Sequence, residues 1–487
     1  MTLFLYLVRF VKQPIVARLL SPSDFGILGL AMVVLLALSN LTSIGIQQII
    51  IQRGEVDDDF MSSAWFFLVL RGIAITALTV AVTPVYGHFF DDPLVERVLY
   101  VVAFVPLIRS FVSPNIYLSE RQIRFGRIAV YQSVSQVVSA LVVLTLAFAF
   151  RNVWALVIGM LATELILVAL SYLFFGVSVR PRLPSLDHAR EFLSIGKFFT
   201  IIAFGSFITT QVDNLIIGGY LGTAELGFYL IAFTLISFPN QILQGTFNRV
   251  ALPAFSRVQN SPTQIGTYFA RITGAQVTFT LMAFTAVGLL ADPFIRVVYG
   301  SEWIPSIVLL QTLTVVGIAR GMSVSLAPLL VGTGWVRVDA LGKVVETMLF
   351  VPLVWLLVVR YGAIGAAIGS GLAYSCGFAA RLAYLHRAAV FDSGPLILRH
   401  VGGSLLLPLP VIGLTLLARI YITTPSAVLN LITGTSVVLI LQVLVLLMFR
   451  RDVLRESVQL VFSKSTSSAH ALSDRSTGPL PASHEGK

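Results

Sequence analysis

Cysteine and charge are both scarce in this sequence, and each scarcity excludes a class of protein. The 487 residues contain one cysteine, Cys376, which excludes an intramolecular disulfide, a cysteine cluster and a CxxC redox pair. Charged residues make up 11% of the chain, about half the share that a water-exposed globular surface carries. Hydrophobic residues make up 56%, and the mean hydropathy is +0.89. The bilayer must therefore be the solvent of this chain, which excludes a soluble enzyme.

Motifs for metals, nucleotides and nucleic acid are missing as well. The six histidines are scattered without metal-ligand spacing, and no GxxxxGK[ST] nucleotide-binding loop occurs. The net charge of +10 comes from Lys and Arg in short loops between apolar runs, with no basic domain. An acidic run at residues 57–59 lacks partner motifs, and we interpret it as solvated charge. The sequence predicts no cofactor, no metal site and no nucleic-acid partner.

Long apolar runs dominate what is present. Windows of about 20 apolar residues predict an all-α polytopic membrane protein with roughly fourteen transmembrane helices. The predicted spans are 2–20, 25–50, 63–87, 97–118, 128–150, 153–175, 194–220, 227–250, 267–291, 304–332, 338–359, 363–385, 397–420 and 426–449. Arg9 and Lys12 interrupt the first run, which leads directly into further spans. We therefore expect the first helix to remain in the mature protein rather than to be a cleaved signal peptide.

Loop charges predict the orientation of these helices. The positive loops, such as residues 121–127 and 180–197, follow even-numbered predicted helices. This side carries about twenty Lys and Arg, against roughly six on the other side, and positive loops favour the cytoplasm. Both termini are therefore predicted to be cytoplasmic.

The sequence also contains an internal repeat. Leu20, Asp24, Gly26 and Ala31 recur 201 positions later as Leu221, Glu225, Gly227 and Ala232. The offset spans six predicted helices, an even number, so the halves keep one orientation and are related by an axis along the membrane normal. The predicted divisions are an N-terminal six-helix bundle (1–175), an amphipathic cytoplasmic linker (176–192) and a C-terminal six-helix bundle (193–386). A terminal helix pair (387–449) and a largely disordered cytoplasmic tail (450–487) follow.

Embedded charges are the first candidates for function. A charge near the bilayer centre costs at least about 2.5 to 3.5 kcal/mol, so each should face the bundle interior, pair or reach an interface. An excess of embedded bases over acids favours an anionic substrate. The bases are Arg9, Lys12, Arg71, Arg109, Arg271, Arg320 and Arg381, and the acids are Glu164, Asp213 and Glu346.

The embedded charges do not all carry the same prediction. Arg71, Arg271 and Arg381 lie near predicted span ends, where long side chains extend to the interface. Arg109 and Arg320 occupy related places in the two halves, which favours a pair lining a shared cavity. The three embedded acids are candidates for binding a coupling cation or proton, and pairing with a nearby Arg is the alternative for Asp213.

Amide stripes are the second group of candidates. Asn40, Ser43 and Gln47 share one face of the predicted second helix, and Gln241, Gln244 and Asn248 repeat the stripe 201 residues later. Such side chains either join helices or hydrogen-bond to sugar hydroxyls.

Four segments carry a resemblance to a known family. The sequence resembles Wzx-type polysaccharide flippases, within the superfamily of multidrug, oligosaccharidyl-lipid and polysaccharide exporters, over about residues 1–450. The motifs are ARLLSPSDFGILGLA at 17–31, SERQIRFGRIAVYQ at 119–132, QVDNLIIGGYLGTAELGFYLIA at 211–232 and YGSEWIPSIVLLQ at 299–311. The resemblance implies export of an oligosaccharide on an undecaprenyl-pyrophosphate carrier across the bacterial plasma (inner) membrane.

Residue roles follow from this resemblance together with the embedded charges. We expect Arg9, Arg18, Arg53, Arg109 and Arg320 to attract the pyrophosphate and the amide stripes to contact sugar. The expected partners are the lipid-linked oligosaccharide, the bilayer and other polysaccharide assembly proteins. Three alternatives stay open: an ion-coupled drug extruder, a membrane-embedded glycan polymerase or ligase, and a structural scaffold. Seven bases against three acids argue against cationic drugs, and outer loops of about a dozen residues leave little room for a catalytic site.

Overall fold

The fold is built from α-helices. The computed structural model describes residues 2–42, 45–52, 56–90, 92–176, 186–259, 261–387, 402, 404, 406–421 and 426–449, and no strand occurs in these ranges. The helices are α1 Thr2–Ala17, α2 Pro22–Leu41, α3 Ile46–Gln52, α4 Asp58–Phe90, α5 Pro93–Val102, α6 Val105–Ser110, α7 Asn115–Arg121, α8 Phe125–Phe150, α9 Val153–Phe175, α10 Leu186–Leu221, α11 Thr223–Val258, α12 Pro262–Phe294, α13 Ser306–Met322, α14 Leu326–Gly332, α15 Val336–Arg387, α16 Pro408–Tyr421 and α17 Ala427–Phe449.

Nine of the helical segments in the described ranges are long and apolar enough to cross a bilayer. The predicted class, an all-α protein with many membrane-spanning helices, is confirmed. The number fourteen stays a prediction. One reason the two counts differ is that α15 runs through two predicted spans, 338–359 and 363–385, with a bend at Gly362, where φ is +62°.

Acidic residues explain two helix starts. Ser21 and Asp24 form a capping box at the start of α2, in which the Ser21 hydroxyl accepts the Asp24 N–H and Asp24 accepts the Ser21 N–H. The acidic run predicted to be solvated charge has a related role, because Asp57 Oδ1 accepts the Phe60 N–H at 2.8 Å and Asp58 lies in the first turn of α4. The run caps a helix.

The second predicted span contains a break that hydropathy did not detect. The predicted second span, 25–50, ends as a helix at Leu41, and the chain turns through Gly45, whose φ of +65° suits glycine, before α3 begins. Gln47 therefore lies on α3 rather than on the second helix with Asn40. The first predicted amide stripe is divided between two helices, and Ser43 lies outside the described residues.

The fourth and tenth predicted spans are interrupted at similar places. The span predicted at 97–118 consists of α5, α6 and the start of α7, and the span predicted at 304–332 consists of α13 and α14. Each interruption leaves backbone carbonyl groups without helical partners in an apolar segment. A break recurring in both halves makes the interior of each half more polar than hydropathy indicates.

The helix contacts indicate two bundles, with α2 packed against α10 and α11 of the second bundle as well as against its own. Helices α1 to α9 contact one another, α10 to α15 do the same, and α12 contacts both α16 and α17. This grouping agrees with two bundles and an appended pair, while the exact domain boundaries stay predictions. Helix α10 already begins at Leu186, inside the predicted linker 176–192. Residues 177–185 and the tail 450–487 lie outside the described residues.

We call the bundle of α1 to α9 the first lobe and the bundle of α10 to α15 the second lobe. Helices α2 and α11 form the main contact between them, which we call the lobe contact. A Cβ atom added at Gly26 would overlap the carbonyl oxygen of Thr223, and one added at Gly227 would overlap the carbonyl oxygen of Pro22. Position 26 corresponds to 227 in the repeat, and 22 corresponds to 223. The lobe contact is therefore reciprocal, as a pseudo-two-fold axis between the bundles requires.

Two further side chains close the same end of the molecule. Trp303, fully buried, donates its indole N–H to the Ala17 carbonyl at 2.9 Å. Arg18, in the turn between α1 and α2, donates to the carbonyl groups of Val297 and Val298 in a π-helical turn that follows α12. These contacts join the first lobe to the second beside the starts of α2 and α11.

Candidate functional site

Helix α11 changes character along its length. Its first turns are buried at the lobe contact, as Leu226, Tyr229 and Ala232 are. The side chains of Gln241, Gln244 and Asn248 further along the helix are exposed. Three amides on one exposed face of a membrane-spanning helix fit a water-filled space better than lipid, because lipid offers no hydrogen-bond partner.

Helix α1 reaches this amide stripe from the other lobe. The Tyr6 hydroxyl donates to Gln241 Oε1 at 2.9 Å, and the rings of Tyr6 and Phe10 both pack against Phe238 of α11. Arg9, one turn from Tyr6, is exposed and donates to Gln136 Oε1 of α8 at 3.3 Å. Two predicted residues, Arg9 and Gln241, thus lie on helices of different lobes that contact each other through Tyr6 and Phe10.

A cavity of about 390 Å³ lies within the first lobe, and we call it the arginine cavity. Its polar lining includes Arg71, Arg109, Tyr117 and Glu164, and α2 supplies apolar residues and Ser39. Arg109 Nη1 lies 3.3 Å from Glu164 Oε1. The Arg109 side chain is 70% exposed, whereas that of Glu164 is 8% exposed. Two guanidinium groups against one carboxylate leave this cavity with a positive balance.

Arg71 performs a structural task in this cavity. Its Nη2 donates to the Ser39 carbonyl at 2.7 Å and its Nε donates to the Thr42 hydroxyl at 3.2 Å. Both acceptors lie at the end of α2, where free carbonyl groups and the helix dipole favour a cation. Arg71 therefore satisfies the end of α2, a role that the predicted extension to an interface did not include.

The second lobe holds a different polar cluster. The Arg320 guanidinium lies 4.4 Å from the centre of the Tyr374 ring, a cation–π distance. The Tyr374 hydroxyl donates to the Thr209 carbonyl at 2.9 Å. Asp213, buried on α10, accepts the Tyr229 hydroxyl at 2.8 Å. The arginine of this lobe is thus held by an aromatic face.

Arg109 and Arg320 nevertheless lie at similar helix breaks. Each lies in the last turn of a helix that ends at a break, α6 and α13 respectively, where a positive charge suits the helix end. Arg109 contacts α9, the last helix of the first lobe, and Arg320 contacts the second half of α15, the last helix of its lobe. The arginine cavity is lined by residues of the first lobe, so the predicted shared cavity for the pair stays a prediction.

The three embedded acids differ in how their oxygens are used. Asp213 accepts hydrogen bonds on both oxygens, from Tyr229 and from the Asn214 N–H. Glu346 forms ion pairs on both oxygens, with Lys343 at 2.6 Å and Arg381 at 3.6 Å. Glu164 differs, because its buried Oε2 has no hydrogen-bond partner among the described residues.

Several other predicted residues have contacts of their own. Arg18 belongs to the closed end described above. Gln47 donates to Glu120 Oε2 at 2.8 Å, which ties α3 to α7, and Asn40 is half-buried in the last turn of α2. Arg53 lies outside the described residues.

Sequence reasoning missed the aromatic and amide partners of these charges. Tyr6 carried a detectable signal, because it lies three residues before Arg9 and so on the same helical face. Gln136, Tyr229 and Tyr374 carried none, because each contacts its partner across separate helices.

Comparison with known proteins finds relatives that align with most of the chain. The succinoglycan biosynthesis transport protein ExoT of Rhizobium meliloti (strain 1021) is 26% identical over 480 residues, which cover 95% of this chain and 94% of ExoT. The lipopolysaccharide biosynthesis protein WzxC of Escherichia coli (strain K12) is 23% identical over 368 residues, 74% of this chain and 73% of WzxC. Both are named for polysaccharide biosynthesis.

Solved structures share the fold. The lipid II flippase MurJ in an inward closed conformation superposes with a TM-score of 0.68 at 15% identity, covering 93% of this chain and all of that chain (100%). An inward-facing multidrug resistance MATE family transporter of the MOP superfamily gives a TM-score of 0.62 at 14% identity, covering 79% and 95%. At these identities the likeness establishes the architecture alone.

A family match identifies the chain more directly. Residues 15–308, well over half of the sequence, match the family described as polysaccharide biosynthesis protein. The match begins at the end of α1 and covers both sides of the lobe contact and the first part of α13. The chain is a membrane protein that belongs to this polysaccharide biosynthesis family.

Proposed function

We propose that this protein is a flippase that moves an undecaprenyl-pyrophosphate-linked oligosaccharide from the inner to the outer leaflet of the bacterial plasma membrane. The glycan then serves the synthesis of exopolysaccharide, lipopolysaccharide or capsule. The observation that carries the proposal is the pair Arg109 and Arg320, one in each lobe at a similar helix break, in a member of a polysaccharide biosynthesis family. Guanidinium groups at helix ends inside apolar spans suit a diphosphate.

The roles of the remaining residues extend this proposal. Arg9, Arg18 and Arg53 attract the headgroup as it enters and leaves, and the exposed amides of α11 hydrogen-bond to the sugar. The polyprenyl tail stays in the bilayer, so the cavity holds the polar part alone. Translocation moves the substrate without forming or breaking its covalent bonds, which makes the protein a transporter rather than an enzyme.

Alternating access between the lobes is the mechanism we propose. The lobe contact at Gly26 and Gly227 closes one end while the amide stripe stays exposed beyond it, as expected for one of two alternating states. With both termini in the cytoplasm, the closed end faces outward. Because a diphosphate is anionic, an inside-negative membrane potential favours its outward movement by about 2.3 kcal/mol per charge per 100 mV. An ion bound at an embedded acid is a second source of driving force, and Glu164 suits it better than Asp213 or Glu346, because its Oε2 has no partner among the described residues.

Drug extrusion by the same architecture is less well supported. The relatives described above are named for glycan synthesis, and likeness to a drug transporter at 14% identity speaks for the fold alone. Asp213 and Glu346 already use both of their oxygens within the protein, which leaves few free carboxylates for a cationic drug.

Charge-removing substitutions test the proposal. Arg109→Gln and Arg320→Gln are expected to abolish or strongly reduce surface polysaccharide in the native host, because each removes a charged contact to the diphosphate. Arg97→Gln, at an exposed position of α5, is the matched control and should export normally. Membrane amounts are compared by immunoblot. Normal export by both site variants at wild-type amounts would contradict the proposal.

A further inference from the structure

Glu164 is the embedded acid whose partner can be exchanged. Asp213 and Glu346 have both carboxylate oxygens engaged, whereas Glu164 uses Oε1 alone, at 3.3 Å from Arg109. Its Oε2 is buried and has no partner in the described part of the chain. The carboxylate thus depends on one long contact.

The two members of this pair differ sharply in access. The Arg109 side chain is 70% exposed and lines the arginine cavity, so an incoming anion can reach it. Glu164 is 8% exposed and cannot follow Arg109 out of the lobe without rearranging α9. Arg109 Nη1 is the group that contacts Glu164 Oε1, so an anion that pairs with this nitrogen takes the place of Glu164 Oε1.

We propose that Glu164 is an internal competitor for Arg109, displaced by the substrate's diphosphate and protonated as it loses its partner. This inference rests on the proposed function. The contact between Arg109 and Glu164 breaks, a contact between Arg109 and a phosphate oxygen forms, and one proton passes from water to Oε2 of Glu164. When the diphosphate leaves, the proton returns to water and the ion pair re-forms. A buried carboxylate without a partner is strongly unfavourable, which is why the proton is required.

Among the described residues, no cation other than Arg109 pairs with Glu164. From the helices packed against α9, the titratable groups nearby are Arg109 of α6, Tyr117 of α7 and Tyr131 of α8, with Arg71 of α4 across the cavity. The Tyr131 hydroxyl donates to the Leu167 carbonyl, and Arg71 is held by the end of α2. Helix α2 adds apolar residues and Ser39 to the lining, and no residue of α5 lines this cavity.

The exchange affects the charge that crosses the membrane. In the empty protein Arg109 is neutralised by Glu164, and in the loaded protein it is neutralised by phosphate while Glu164 is uncharged. Arg109 is therefore paired with an anion in both states. A diphosphate that travels with one proton still carries net negative charge, so an inside-negative potential still favours its outward movement.

Binding of undecaprenyl pyrophosphate to the full-length protein in lipid nanodiscs tests this proposal. In the wild type, infrared difference spectra should gain the carbonyl band of one protonated carboxylic acid on binding, a region where the ligand itself does not absorb. Affinity should weaken with rising pH, by up to roughly tenfold per unit beyond the ligand's own titration, because binding takes up one proton. Glu164→Gln should bind more tightly at the alkaline end and lose both signals. Glu302→Gln, at an exposed position, should keep both.

The possible outcomes separate this inference from the proposed function. Wild-type binding without the carbonyl band overturns the competitor role and leaves the flippase proposal intact. If the band and the extra pH dependence persist in Glu164→Gln, the competitor role of Glu164 is overturned as well. Absence of any wild-type binding contradicts the proposed headgroup, and both proposals then fail. The first outcome is read in the wild type alone, so it stays decisive even where the Glu164→Gln variant is unstable.

Discussion

Gly26 and Gly227 occupy the same position of the two repeats, and each receives a backbone carbonyl from the opposite lobe. The carbonyl facing Gly26 comes from Thr223, and the one facing Gly227 comes from Pro22. No side chain of any size fits between helix and carbonyl at these points. Glycine is therefore required at both positions for the lobes to meet as they do.

A single methyl group is expected to open this end of the molecule. Gly26→Ala places a Cβ atom on the Thr223 carbonyl, and such overpacking costs about 1 to 3 kcal/mol. The cost falls on the closed state, so we expect the population to shift toward the open one. Ala17→Cys, introduced in a Cys376→Ser background, should then react several times faster with a membrane-impermeant maleimide, because Ala17 is fully buried at this end.

Gly245→Ala is the matched control for this experiment. It makes the same chemical change on α11, but a Cβ atom there meets nothing within 4 Å. The labelling rate should equal that of the Ala17→Cys parent. Equal rates in the Gly26→Ala and Gly245→Ala variants would refute the closing role of the glycine.

Two tryptophans offer a matched test of the closed end. Trp303→Phe removes the hydrogen bond to the Ala17 carbonyl and leaves that buried acceptor unsatisfied, at a cost of about 1 to 3 kcal/mol. In Trp65→Phe the same change removes a buried indole N–H that has no partner in the described part of the chain. Thermal unfolding in detergent should give a lower Tm for Trp303→Phe than for Trp65→Phe. The reverse order would argue against the hydrogen bond.

The ion pairs of Arg381 should govern stability rather than transport. Arg381→Met removes this partner from Asp339 and from the buried Glu346, which keeps Lys343, and losing hydrogen bonds to charged groups costs about 1.5 to 3 kcal/mol. Arg296→Met breaks an exposed pair with Asp292, worth about 0 to 1 kcal/mol. Unfolding by heat or denaturant should therefore separate the two variants clearly, and similar midpoints would show that the Arg381 network is not structural.

The exposed amides of α11 should affect transport and leave stability unchanged. Under the proposed function, Gln244→Ala removes side-chain hydrogen bonds to sugar worth about 1 kcal/mol, which corresponds to roughly a fivefold lower export rate. Ile242→Ala, an exposed apolar position on the same helix, should export at the wild-type rate. Surface glycan is measured per unit of membrane protein. If both variants export alike, the amides of α11 do not contact the substrate.

Hydropathy and the repeat predicted the parts of the fold that follow from periodic patterns. The apolar runs located the long helices, and the recurrence of Gly26 at Gly227 anticipated the paired lobes. The structure adds that the repeated elements themselves meet, because the two glycines lie at the contact between the lobes. Embedded charges such as Arg109 and Glu164 were found for the same reason, since a charge inside an apolar run interrupts the pattern.

The breaks and the partners could not be predicted in this way. Nothing in the apolar run around Ser323 signals that α13 ends there, because a helix break inside a bundle is stabilised by contacts from other helices, such as the Gln276 amide that donates to the Gly321 carbonyl. Arg71 illustrates the second limit. Because Arg71 lies near a span end, the sequence predicted that its side chain extends to the membrane interface. Its hydrogen-bond acceptors instead belong to the end of α2, and the local sequence of α4 does not reveal them.

The lobe contact has a consequence for how such a chain can arise. Each side of the contact supplies one glycine and one backbone carbonyl, and a carbonyl is available from any residue, whether Pro22 or Thr223. The same surface therefore fits a copy of itself, as in a symmetric homodimer. Two half-length chains with a single glycine at this position could meet through the same interface. Joining them into one chain would preserve the fit and free every other position of each half to change independently.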